Sequence, residues 1–147
     1  MQNNIDGQSV ISAFFQALEQ RTLADCESAI AQLQVLTEQQ PIFGIWSQYF
    51  EGILANERDH NWARAEQIFR RLLQENLELS LRGRILVALG RTYEYQGTWL
   101  DAIHTHEQSL EIFTALDQPF EQAKAKKQIA IACCRGFIAG AFGMEWL

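Results

Sequence analysis

The chain has 147 residues, 48% apolar and 20% charged, which suits one domain with a sizeable core and excludes a disordered segment. Ala, Leu, Gln and Glu are abundant, while only 2 Pro and 9 Gly leave little room for long loops, so the expected fold class is all-α. A net charge of −6 makes nucleic acid a poor partner.

Helical periodicity recurs along the chain. The first helix is expected over about 8–20, with Val10, Ile11, Phe14 and Leu18 on one face. The second lies in "RTLADCESAIAQLQVLTEQQP", where Thr22 and Asp25 form a capping-box pattern and Pro41 follows the end. A third covers about 42–56. "ERDHN" is a polar break, with Asn61 placed as an N-cap for a fourth helix, "WARAEQIFRRLLQEN". The fifth runs over about 78–96, Gly97 ends it, and Thr98 with Asp101 repeats the capping-box pattern. The sixth covers 99–116. Pro119 sits where a first helical residue belongs, and the seventh follows to about residue 137. The tail 138–147, "IAGAFGMEWL", is apolar with spaced glycines. The whole chain 1–147 reads as one domain of hairpins 8–41, 42–76 and 78–116, then a lone helix 119–137 and the tail.

Helices of similar length joined by short turns invite a search for a repeat. Ala29, Ala65 and Ala102 lie near the starts of the second helices of successive pairs, spaced 36 and 37 residues apart. "WARAEQIFRRLL" aligns with "WLDAIHTHEQSL", pairing Trp62 with Trp99, Ala65 with Ala102 and Phe69 with His106. "LGRTYEYQG" aligns with "IAIACCRGF", which pairs Tyr93 with Cys133 and reads Cys133 as a small buried side chain.

The run Leu86-x2-Leu89-Gly90-x2-Tyr93, then Gly97, then Ala102-x3-His106, resembles the tetratricopeptide repeat pattern. Leu86 replaces its Trp and His106 replaces its aromatic residue. The resemblance is clearest over 82–116, carried at 50–75 by Gly52, Trp62, Ala65 and Phe69, and faint over 8–41, where it rests on Ala29, Leu33 and Pro41. Gly90 and Ala102 are small enough for two helices to approach closely, and Leu89 and Tyr93 fill the space between hairpins. The resemblance implies a right-handed superhelical stack, an α-solenoid of about three and a half hairpins, whose first helices line a concave groove.

In that family the groove takes a peptide or helix of a partner. Carried over, the geometry turns Arg84, Val87, Arg91, Glu94 and Tyr95 towards the groove. From the last helix come Lys124, Lys127, Ile131 and Arg135, and from the third Trp46, Tyr49, Ile53 and Asn56. Charge points the same way. Residues 58–91 hold seven Arg against four acids, inside an otherwise acidic chain with one base against seven acids before residue 58. A cationic groove suits an acidic segment with apolar anchors. The alternative is that these cations are solvated, or paired with Glu78, Glu94 or Glu121. The Lys/Asn spacing of the family's carboxylate clamp is not reproduced, because Ile131 follows Lys127 and Val87 with Ala88 follows Arg84.

The expected function is therefore non-enzymatic: a scaffold or adaptor for a protein or peptide. The variable repeat length also resembles arrays in bacterial signalling systems, so a ligand-sensing regulatory module is the alternative. No nucleophile–base set, phosphate loop or metalloprotease motif occurs, and no cofactor or metal is expected. His104 and His106 are two apart on a helix and point in different directions. Cys26, Cys133 and Cys134 form no CxxC, which fits a reduced, cytoplasmic setting. No stretch reads as a signal peptide or membrane span. The lone last helix leaves an apolar side to be covered. Phe137, Phe142, Met144, Trp146 and Leu147 could cap it internally, pair two copies as a homodimer or self-assembling module, or meet a continuing array.

Overall fold

The computed structural model describes residues 6–140, which form seven α-helices and no strand. They are α1 (Gly7–Glu19), α2 (Leu23–Leu36), α3 (Ile42–Glu57), α4 (Trp62–Leu72), α5 (Leu79–Gln96), α6 (Trp99–Ala115) and α7 (Pro119–Ile138). Phe142, Met144, Trp146 and Leu147 lie outside the described residues.

The helix ends follow local chemistry. Asp6 accepts from the Gln8 N–H and the Ser9 hydroxyl at the start of α1. Asn61 accepts from the Arg64 N–H at 3.2 Å at the start of α4. Gly97 closes α5 with φ +76°, and Pro119 opens α7. The two capping boxes read from the sequence do not form. The Thr22 hydroxyl donates backwards to the Ala17 carbonyl at 3.2 Å, and Thr98 to the Tyr93 carbonyl at 3.1 Å. Each Thr marks a boundary, but its hydroxyl donates to a carbonyl of the helix before it that already accepts the Thr backbone N–H, and leaves the N–H groups of the helix after it uncapped.

Each helix packs on its neighbours in the chain, and α3 also touches α1 and α5. Small residues set the close approach. A Cβ added at Gly52 would stand 2.4 Å from the Phe69 ring, and one at Gly90 would stand 2.4 Å from the His106 ring. The alignment of Phe69 with His106 therefore has a geometric counterpart: each ring fills the space above a glycine of the preceding helix. Ala29, Ala65 and Ala102 are buried, as are Phe69 and His106. Leu89 is buried and Tyr93 half-buried.

The core is richest in rings between α1, α3 and α4. Phe14 stacks on Phe50 at 3.7 Å, and Phe15, Trp46, Tyr49 and Phe69 continue the cluster. One polar bridge crosses the packing. The Thr92 hydroxyl of α5 lies 3.0 Å from Asn56 Oδ1 of α3 and 3.1 Å from the Ala88 carbonyl, and Asn56 Nδ2 donates to the same carbonyl at 3.4 Å. Both side chains are buried.

α7 corrects one expectation. Cys133 does not take a buried position like that of a packed Tyr; it and Cys134 are both exposed. Among the described residues no helix follows α7, so nothing packs there on the face that carries them. Cys26, by contrast, is buried in α2.

Candidate functional site

A cavity of about 660 Å³ opens between three parts of the chain. Its floor is α3, where Tyr49, Ile53, Asn56 and Glu57 fall on one face at spacings of three and four. One wall is α5, where Arg84, Val87, Ala88 and Arg91 repeat that spacing. The other wall is the end of α1 and its turn into α2, which supply Leu18, Arg21 and Leu23, while Leu54 and Arg58 complete the rim. The lining combines aliphatic side chains with the polar Tyr49 and Asn56, the carboxylate of Glu57 and four arginines.

The four guanidinium groups are not equivalent. Arg91 is committed: its Nη2 lies 2.8 Å from Glu57 and donates to the Tyr95 hydroxyl at 2.9 Å. That hydroxyl in turn donates to Glu57 at 2.9 Å, closing a triangle between α3 and α5. Burial pulls the Arg91 pKa down, but the Tyr95 hydrogen bond and the Glu57 charge leave it raised. Arg58 is committed too, to Asp59 at 2.6 Å and to Glu27. Its hydrogen bonds to Asp59 and Glu27 raise its pKa, and the same contact lowers that of Asp59.

Arg84 and Arg21 have no carboxylate partner among the described residues. Arg84 of α5 sets its guanidinium carbon 5.7 Å from the Phe15 ring centroid of α1. Arg21 sits in the turn after α1 at φ +57°, a left-handed conformation that costs any residue with a Cβ. On the floor, burial pushes the Tyr49 hydroxyl up to about 12, against the opposing fields of Arg84 and Arg91.

Of the residues read from the sequence as groove-facing, the structure brings Arg84, Val87, Arg91, Tyr49, Ile53 and Asn56 to one cavity. It places the others elsewhere. Glu94 is buried, with its Oε2 3.5 Å from His106 Nε2. Tyr95 stacks on Trp62 at 5.9 Å behind the Arg91–Glu57 pair, and Trp46 lies in the aromatic cluster. Lys124 is exposed over the Phe120 ring and pairs with Glu121 at 3.4 Å. Lys127 and Arg135 are exposed and Ile131 half-buried, away from the cavity lining. Sequence reasoning missed Arg21, Arg58, Leu18, Leu23 and Glu57. Arg21 carried a usable signal, as the lone base before residue 58.

No helix among the described residues is long and apolar enough to cross a membrane. Comparison with protein-family models, with curated proteins and with solved structures finds no match to this chain.

Proposed function

We propose that the chain is a non-enzymatic interaction module of tetratricopeptide type, and that its cavity between α1, α3 and α5 holds an acidic, apolar-anchored peptide segment of a partner protein. The observation that carries this reading is the lining itself. Leu18, Ile53 and Val87 give it an apolar patch beside four guanidinium groups, two of which have no carboxylate partner among the described residues. The repeat reading draws support from the paired Gly52–Phe69 and Gly90–His106 approaches at aligned positions. In a right-handed stack of such hairpins, α1, α3, α5 and α7 would form the concave side.

Selection from a random displayed peptide library tests the proposal. Binders enriched on the wild-type chain should be rich in Asp, Glu and aliphatic residues. They should weaken in high salt and be lost with Arg84→Glu. Enrichment that ignores Arg84→Glu would place the binding surface elsewhere. A second reading, a ligand-sensing regulatory module acting on a separate effector, rests on the cavity volume of about 660 Å³, which lies in the range of small-molecule pockets. It would appear as a thermal shift with a small ligand and no stable protein partner.

A further inference from the structure

We infer that the cavity reads its ligand at two separated points: an acidic residue on either side of a short aliphatic core, with Arg84 taking one carboxylate and Arg21 the other. The inference rests on the peptide-binding reading and adds the pattern that the peptide must carry.

The argument turns on which cations are available. Four Arg line the cavity, but Arg91 and Arg58 already donate to Glu57 and to Asp59 with Glu27. A ligand carboxylate drawn to either would have to displace a partner that is already in place, with little net gain. Arg84 and Arg21 present no such competition. Arg84 is also positioned in advance. Its guanidinium carbon lies 5.7 Å from the Phe15 ring centroid, and its N–H groups have no hydrogen-bond partner among the described residues, so they are available to a carboxylate fork.

Arg21 is the second cation of the lining without a carboxylate partner among the described residues. It occupies the left-handed position of the turn between α1 and α2, at φ +57°. The turn between α5 and α6 meets the same requirement with Gly97, at φ +76° and with nothing near its missing Cβ. His60 and Asp117 hold the same left-handed position in two other turns, at φ +50° and +51°, so what sets Arg21 apart is its place in the cavity lining. Between the two unpaired cations lie Ile53, Val87 and Leu18, which offer only hydrocarbon. Aliphatic contact at the centre and a carboxylate at each side match this surface.

The test uses acetylated and amidated peptides, Glu-(Leu)n-Glu with n of two to four, titrated calorimetrically against the full chain. At the best spacing, each single Glu→Gln change should weaken binding about tenfold. Arg84→Gln should erase the effect of one of these changes and Arg21→Gly that of the other, while Arg58→Gln should leave both. Arg21→Gly should also raise the melting temperature, so its loss of binding would not reflect unfolding. Peptides that bind with no dependence on their acids would overturn the two-point pattern and leave the peptide-binding reading standing. Absence of binding by these peptides and by any library sequence would remove both. Free adipate binding as tightly as the best peptide would overturn a peptide as the occupant in favour of a small dicarboxylate.

Discussion

Gly52→Ala is the sharpest test of how the hairpins close. A methyl group there would meet three carbons of the Phe69 ring at 2.4, 2.7 and 3.1 Å. Ordinary contact needs close to 3.5 Å, so the ring must retreat by roughly 1 Å. It has no room to do so, because Phe69 is fully buried among Tyr49 and the core of α3 and α4. Overpacking of this kind costs ~3 kcal/mol at the upper end. Replacing a mid-helix glycine with alanine returns ~1 kcal/mol of helix propensity. The net loss is about 2 kcal/mol, which for a chain of this size lowers the melting temperature by about 4–8 °C. Phe69→Leu costs about 1–2 kcal/mol alone but makes space for the methyl group. In a double-mutant cycle by urea denaturation the two changes should therefore couple by about 2 kcal/mol. A Gly52→Ala protein as stable as the parent, or a double mutant that is simply additive, would refute the close approach.

Two further predictions concern the surroundings of the cavity. Thr92→Val keeps shape but leaves Asn56 Oδ1 buried without its donor, so stability should fall by about 1–3 kcal/mol in chemical denaturation, and Thr92→Ser should lose less. Tyr49 links stability to alkaline pH. Its folded pKa of about 12 lies above the unfolded value near 10. Its contribution is therefore complete below about pH 10 and is lost as pH rises towards 12, at ~1.4 kcal/mol per unit. Measured across that window, Tyr49→Phe should gain on the parent by ~2–3 kcal/mol, with a constant difference at lower pH. A flat difference throughout would mean that the hydroxyl is solvated.

Much of this arrangement was legible because helices impose direction. The spacing of 49, 53 and 56 in α3, and of 84, 87 and 91 in α5, fixes which side chains share a face, and those faces do meet. The small-residue pattern at Gly52, Ala65, Gly90 and Ala102 announced where helices approach closely. Periodicity gives no direction in turns, which is why Arg21 escaped notice. Nor does it reveal ion pairs between distant segments. Arg91 had local acids to choose from, yet it pairs with Glu57 of another helix and so braces α5 against α3. The lysines of α7 looked equivalent to the arginines of α5 by composition alone. Their place depends on how α7 packs against α6, which no local pattern encodes.

The exchange of a phenyl ring for an imidazole between the second and third hairpins has a consequence for how the molecule breathes. Phe69 needs no polar partner. His106 is just as buried, yet among the described residues neither ring nitrogen makes a hydrogen bond: Nε2 approaches Glu94 Oε2 only at 3.5 Å, and Glu94 Oε1 has no partner. Buried groups left in that condition lower the free energy needed to open the structure locally. Amide protons of α6 should accordingly exchange with solvent ahead of those in α3, whose neighbours are the stacked rings of Phe14 and Phe50. Opening would start at the C-terminal side and leave the aromatic hairpin closed. The cavity floor, which α3 supplies, would then stay closed while α6 opens.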